Sequence, residues 1–476
     1  MKGQAWLFAS LILLSSCGDR ARSPSPSAPL TLASTIPIGS IAPFSSRVGL
    51  GANLIELLYR PLIHLSSGEN RIVPELAKTA NWEVGEVRFK VVLDEGVIAD
   101  VEYTFEYLKT LPVPEFKEGL KNLEKIEKTG PGELVFHLRH FDRMFPFMLS
   151  QIPILSSDPN KTSGDFIIAS QKEDEVVLRR KVPSSSLVNE ILIRQIPSSR
   201  RIVRETVAGN VDMSFLTDDK TGLTLQELPN LGFGELKSTF LYFALVNRSR
   251  EDLGNFPWKQ LSGRLNRDEM IRQLETTGLE AAVAPVHPED PWFALDSVLG
   301  SNEGSKAISA KRRLSLYYLD LQPIVGRIAL LLKRNVSEAG VELDVQQLPP
   351  EEFRKKILIE KDFDLVLLPY AIKDALSSNY FVFHSAEGAG SVNLSGYRNL
   401  EVDKYLEEAR YESDNARAKA SFSKAVSAMM EDPPGIFLFW LKTPILYRKS
   451  CTGFKFNTNE FFSSLKDVRC EPSAVN

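Results

Sequence analysis

An α/β fold is predicted by three features of the 476-residue chain. The first is a β-α-β-α-β run in the second half. Leu314–Leu319 reads as a strand, and Pro323–Ala339 as a helix with Ile324, Ile328, Leu331 and Leu332 on one face. Val341–Val345 alternates, Pro349-Pro350-Glu351-Glu352 opens another helix with Phe353 and Ile357 facing inward, and Asp364–Leu368 is an unbroken apolar run. Strands separated by helices in this way pair in parallel through right-handed crossovers. The second is Trp82–Leu93, where Val87, Phe89 and Val91 fall on one face of a half-buried strand. The third is the apolar strand Gly435–Trp440, continued by Pro444–Tyr447.

The other elements follow in order. Thr31–Pro43 is a strand and then a turn, and Asn53–Tyr59 is a short helix before Pro61. Asp100–Leu108 is a helix with Asp100 as its N-cap and Val101, Phe105 and Leu108 on one face. Glu133–Leu138, Glu175–Leu178 and Asn189–Ile196 read as strands. A helix then runs from Ser198 to Ala208, Gly209 closes it, and Val211–Phe215 is the next strand. Asn399 caps a helix over Leu400–Arg410. Asn415–Met430 places Phe422, Ala425, Val426 and Met429 on one face, and Pro433-Pro434 stops it.

Composition narrows the function. The chain is 43% apolar and 25% charged, as in soluble globular proteins, and its length corresponds to about three domains. A formal net charge of −4 gives no basic footprint for nucleic acid. Three Cys exclude a four-cysteine zinc ribbon, and five His leave little for a histidine-rich metal site. His137 and His140 are three residues apart on or just past a strand, so their rings point to opposite faces. No metal or other cofactor is expected.

Ala5–Leu14 is apolar but shorter than the ~20 residues a membrane-spanning helix needs; it has the length of a secretory signal core. Leu14-Ser15-Ser16-Cys17 resembles a bacterial lipobox, which implies cleavage after residue 16 and lipid on Cys17. The alternative is an ordinary signal peptide with an incidental Cys. The Ser/Pro-rich stretch through residue 30 reads as a flexible tether. Export makes Cys451 and Cys470 a candidate disulfide, closing a loop with a stabilisation of ~3 kcal/mol in the chain-entropy picture; the alternative is two buried thiols.

Enzyme signatures do not assemble. Ser421-x-x-Lys424 and Ser463-x-x-Lys466 lie downstream of Lys128-Thr129-Gly130 and Lys220-Thr221-Gly222, the reverse of the order in penicillin-recognising enzymes, and there is no Ser-Asp-Asn. There is no G-x-S-x-G, phosphate-binding G-x-x-x-x-G-K, or H-E-x-x-H. No enzymatic activity is expected.

Five landmarks, in order, resemble the family-5 extracytoplasmic solute-binding proteins, the peptide, oligopeptide and nickel-binding class of ABC importers. They are Leu58-Tyr59-Arg60-Pro61-Leu62 with Gly68, Val73-Pro74-Glu75-Leu76-Ala77 and Trp82; Ala99–Phe105; Ala208-Gly209-Asn210-Val211-Asp212; Leu241–Asn247 with Pro257; and Gly340–Leu343, Phe363-Asp364-Leu365 and Asn393–Asp403. The chain also departs from the family. A stretch before Asp100-Val101 is missing, the glycine turn is reduced to Thr162-Ser163-Gly164-Asp165-Phe166, and the start of the second-lobe helix is degraded to Leu261-Ser262-Gly263-Arg264.

The resemblance implies an α/β, two-lobed periplasmic-binding-protein fold with an extra inserted domain, the lobes joined by two hinge strands. Lobe I would be 31–245 with an insert at about 80–160, lobe II 246–439, and 440–476 a return to lobe I that Cys451–Cys470 would pin. It implies a monomeric lipoprotein of the bacterial cell envelope, facing the periplasm or exterior. Such a protein captures a small solute, a peptide foremost, in the interlobe cleft and delivers it to a permease. The alternative is a lipoprotein that kept the fold without transport, as a sensor, chaperone or interaction module.

Relatives pair a peptide amino terminus with an Asp just after the strand corresponding to Asp364–Leu368. Direct counting places Lys373 there and Asp374 one residue beyond, so either an ammonium or a carboxylate meets the ligand, unless both are solvated loop charges. Tyr370 falls where relatives line the pocket with an aromatic. Asn393 either fixes the pocket wall or caps a turn.

Overall fold

The computed structural model describes residues 29–471, apart from 45–48, 67–70, 84, 86, 112, 159–160, 216–227, 277, 293–311, 320–322, 387–392 and 457–459. The expected signal segment and Cys17 lie outside the described residues. Leu30, assigned to the tether by composition, is instead a fully buried strand residue.

The strands in chain order are β1 (Leu30–Ser34), β2 (Ile63–Leu65), β3 (Ile72–Pro74), β4 (Thr79–Trp82), β5 (Arg88–Val92), β6 (Leu123–Gly130), β7 (Glu133–Leu138), β8 (Phe166–Gln171), β9 (Glu175–Arg180) and β10 (Glu190–Gln195). They continue with β11 (Met213–Phe215), β12 (Leu231–Val246), β13 (Leu279–Ala281), β14 (Arg312–Leu319), β15 (Val341–Leu348), β16 (Leu365–Ala371), β17 (Gly435–Arg448), β18 (Cys451–Thr452) and β19 (Arg469–Cys470).

One large sheet runs in the order β15-β14-β16-β12-β17-β11-β1-β10-β9-β8, with β13 added on β17. At one end β14 pairs in parallel with β15 and β16, the arrangement expected of the β-α-β-α-β run. At the other end β1 pairs in parallel with β10 and β11. The two halves meet in β12 and β17, which run antiparallel from Leu231↔Arg448 to Leu245↔Gly435 with a register shift between Leu236 and Phe240. On one side of that shift β17 pairs with β11; on the other β12 pairs with β16. These two strands therefore belong to both halves. Gly435 permits a close approach of the two strands, because a Cβ there would lie 2.3 Å from the Ala244 carbonyl oxygen.

A second sheet, β4-β5-β7-β6, is antiparallel throughout and is inserted between β3 and β8. Phe89, Val91, Leu134 and Phe136 are buried on it against the helices Ile98–Thr110 and Met144–Ser150. The first of these helices begins at Ile98, with Val97 at the N-cap position. Asp100 is thus not the cap but a first-turn acid, where its charge complements the positive helix end. Val87, expected beside Phe89 and Val91, precedes β5 and is 38% exposed. The segment opened by Pro349-Pro350 is α-helical only over Pro350–Phe353 and continues as a π-type helix over Arg354–Ile359; Phe353 and Ile357 are buried.

Two apolar regions anchor the halves. Around β1 and β10, Leu32, Ile193 and Met213 pack with Phe461, Leu465 and Cys451 from the C-terminal return. Cys451 and Cys470 are joined by a disulfide and stand opposite each other in the β18–β19 pair. A larger core is continuous from the insert (Phe89, Phe136, Phe145) to the far half of the molecule (Leu376, Phe383, Val402, Phe422). No described helix is long and apolar enough to cross a membrane.

Candidate functional site

A cavity of about 440 Å³ lies where three parts of the chain meet. The β2–β3 hairpin contributes Leu65 and Arg71, the insert contributes Trp82, Phe141 and Arg143, and the far half contributes Trp292, Asp374 and Lys419. A second cavity, of about 600 Å³, is larger but lies wholly within the insert, between Phe105, Phe116 and Ile126. Position between separately supported parts, more than volume, singles out the first, because ligand sites favour domain boundaries.

Each wall has a local cause. After β16 ends at Ala371, Asp374 caps the helix Ala375–Phe383, its carboxylate accepting from the Ser377 amide at 2.7 Å. All nine residues of that helix are buried, so Asp374 is held rigidly at the cavity edge with 8% exposure. Asp414 caps the helix Asn415–Glu431 by accepting from the Arg417 amide. Asn415 and Lys419, one turn apart, both reach the cavity. The Trp82 ring lies 5.0 Å from both Phe89 and Phe141. The Trp292 ring carries the Arg143 guanidinium at 5.3 Å and the Lys419 ammonium at 5.9 Å.

Arg143 ties the insert to the turn between two far-half helices. It donates to the carbonyls of Glu412 (2.6 Å) and Ser413 (2.8 Å) and to Asn415 Oδ1 (2.6 Å). Beside it, Asp142 accepts from Arg410 Nε (3.0 Å), Arg410 Nη2 (2.7 Å) and Asn122 Nδ2 (2.7 Å). The Asp142 and Arg410 side chains are both fully buried. Burial alone would lower the Arg410 pKa; the Asp142 carboxylate outweighs it and holds it raised. Arg410 also lies 4.7 Å from the Tyr380 ring centre, and burial pushes the Tyr380 hydroxyl up to about 12. Near the cavity, the Asp290 carboxyl accepts from the Trp292 amide, and burial, with repulsion from Asp374, pushes it up to about 6.

Of the residues singled out by sequence, Asp374 lines this cavity. Lys373 does not; its charge acts on Glu56 in the helix Gly51–Leu58, whose carboxyl is pushed up by burial and drawn down by Lys373. Tyr370 lies in β16 opposite Leu241, half-buried against the core and off the cavity. The Asn393 amide is engaged in its own turn: Nδ2 donates to the Tyr397 (2.7 Å) and His384 (3.3 Å) carbonyls, and Oδ1 accepts from the Ser395 hydroxyl (2.9 Å) and the Tyr397 amide (3.2 Å). Asn393 therefore fixes a turn and does not line the cavity. Sequence reasoning missed Arg71, Arg143, Trp292 and Lys419, which come from four distant segments. His137 lies 2.8 Å from Glu127 on the insert sheet, while His140 packs against Tyr411 beyond the strand. Among the described residues no group of three or more potential ligands is placed to hold a metal ion.

No family model matches the chain. It is 23% identical over 319 residues to the probable D,D-dipeptide-binding periplasmic protein DdpA of Escherichia coli, which covers 62% of this chain and 60% of that protein. It is 19% identical over 392 residues to the oligopeptide-binding protein AppA of Bacillus subtilis, covering 70% of each. The chain thus spans about three fifths of the length of DdpA. The structure of B. subtilis AppA in complex with a nonapeptide superposes with a TM-score of 0.76 at 16% identity, over 93% of this chain and 99% of that one. That of MoaA from A. tumefaciens R10 in complex with mannopinic acid superposes with a TM-score of 0.78 at 16% identity, over 93% and 99%. The fold is therefore the two-lobed α/β fold of periplasmic binding proteins.

Proposed function

We propose that this chain is the substrate-binding component of an ABC importer. In this reading β12 and β17 are the hinge strands, lobe I is 31–245 with its insert and the return from 440, and lobe II is 246–439. A small solute, a peptide foremost, is enclosed between the lobes and handed to a permease. The observation that carries this is the cavity bounded by the hairpin, the insert and the far half, together with the two long strands that both halves of the large sheet share. Closure about such strands needs few backbone changes, so modest ligand contacts bias it. The names of DdpA and AppA, both peptide-binding, support the same class. Asp374 is the ligand-facing acid of the β16 loop; Lys373 and Asn393 serve the frame. Lipid on Cys17 would tether the exported monomer to a membrane.

The test is native mass spectrometry of the chain from Gly18, before and after mild unfolding. The expected result is a peptide-sized mass released on unfolding. A second reading has one observation in its favour: the buried Arg410–Asp142 pair and the continuous core hold insert and far half together without any ligand. It is a fold-retaining sensor or interaction module. An empty protein with no thermal shift in peptide pools would support it and overturn the first.

A further inference from the structure

We infer that the interlobe cavity selects a solute of net negative charge, with Arg71 and Lys419 holding its acidic group and Trp82 and Trp292 covering its apolar body. This rests on the proposed binding role and specifies the class of solute.

The lining is electrically lopsided. It includes the cations Arg71, Arg143 and Lys419 against one carboxylate, Asp374. The charges differ in how they are already engaged. Arg143 is oriented by the Glu412 and Ser413 carbonyls and by Asn415 Oδ1, all uncharged acceptors, and the nearby Glu412 carboxylate offsets part of its charge, so the burden of meeting a ligand anion falls on the other two cations. Asp374 gives an oxygen to the Ser377 amide and thereby faces a positive helix end. Among the described residues Arg71 hydrogen-bonds only through its backbone, with Ser66, and its exposed side chain forms no ion pair. Lys419 is half-buried, meets the Trp292 ring, and forms no hydrogen bond or ion pair with a described residue. The next carboxylate, Asp290, accepts from the Trp292 amide and lies within electrostatic reach of Lys419 and His287, so three cations stand against two carboxylates and an excess of positive charge remains.

Arg71 and Lys419, which form no ion pair with a described residue, focus a positive potential in a concave, aromatic-walled site. A ligand anion supplies the missing acceptor in a charge-assisted bond. A cationic side chain would instead enter against three like charges. The aromatic walls reward an apolar body without fixing its sequence.

The test is calorimetric titration with Ala-Glu, Ala-Gln and Ala-Lys, together with identification of the solute released in native mass spectrometry. Ala-Glu and Ala-Gln have nearly the same shape and differ in charge. The expected result is Ala-Glu binding about tenfold or more tightly than Ala-Gln, Ala-Lys weakest, and an anionic released solute. Lys419→Gln and Arg71→Gln should each shrink the Glu/Gln ratio while leaving the melting temperature within a degree or two. Equal affinities, or a released neutral or cationic solute, would overturn the charge selection and leave the binding role standing. No binding to any dipeptide and no released solute would overturn both.

Discussion

The boundary between the insert and the far half has two neighbouring regions built on opposite terms. Around Arg410 the strong groups are matched: the guanidinium meets the Asp142 carboxylate twice and Glu118 twice, through its carboxylate and its backbone carbonyl, and the Asp142 carboxylate also takes the Asn122 amide. A few residues away, around Trp292, the cations Arg71 and Lys419 lack described ion-pair partners and the walls enclose about 440 Å³. Asp142 and Arg143 are adjacent in sequence, yet one faces the matched seam and the other the cavity. On the proposed reading a single boundary divides its work: where the side chains are fully buried, charges are paired; in the cavity offered to a solute, two cations keep no described ion-pair partner. Substitutions in the seam should therefore change stability, and substitutions in the cavity should change ligand selection.

The largest expected effect is in the seam. Arg410→Met leaves Asp142 buried and uncompensated, and should destabilise by about 3–5 kcal/mol in chemical denaturation. A loss below about 1 kcal/mol would mean that the seam is wet in solution and would break the contrast.

Asp290 sharpens it through pH. Its carboxyl is raised from an ordinary 3.8 to about 6, so the folded chain holds a proton across that window that the unfolded chain has released. Its contribution to stability is accordingly most favourable near pH 4 and falls as pH rises through 6. Asp290→Asn should stabilise the protein at pH 7 by roughly 2 kcal/mol or less and leave it unchanged near pH 4, as measured by denaturation at the two pH values.

Asp374 is expected to straddle the two regions. Asp374→Ala removes the cap of the helix Ala375–Phe383 and should cost about 1 kcal/mol in stability. It should also alter ligand affinity, because the residue lines the cavity. Asp374→Asn should recover most of the stability, since its side-chain oxygen still accepts from the Ser377 amide, but not the affinity.

Much of the fold was legible because its signals are local. Asn399 caps its helix by accepting from the Glu401 and Val402 amides, as the sequence indicated. Apart from Trp82, which lines the cavity, several landmark residues that carried the family resemblance prove to be frame residues. Asp212 accepts from the Thr31 amide and pairs with Arg448, Asp364 accepts from the Ser315 amide, and Asn247 donates to the Lys361 and Phe363 carbonyls. That is why they revealed the fold and not the ligand. The helix Ala375–Phe383 escaped notice because burial on all sides leaves no polar face to set a 3.6-residue period. Strand β8 escaped for the opposite reason: five of its six residues are exposed, so it shows no buried face. The cavity was the least legible part, since Arg71, Trp82, Arg143, Trp292 and Lys419 converge only through the tertiary fold and no local pattern joins them.

The most direct test of the central claim is a crystal structure of the chain with its co-purified solute, or with Ala-Glu, bound. The account predicts ligand density between Trp82 and Trp292, with an acidic group within hydrogen-bond distance of Lys419 or Arg71. Density confined to the insert cavity between Phe105 and Phe116, or an interlobe ligand that turns no anionic group toward these cations, would contradict it.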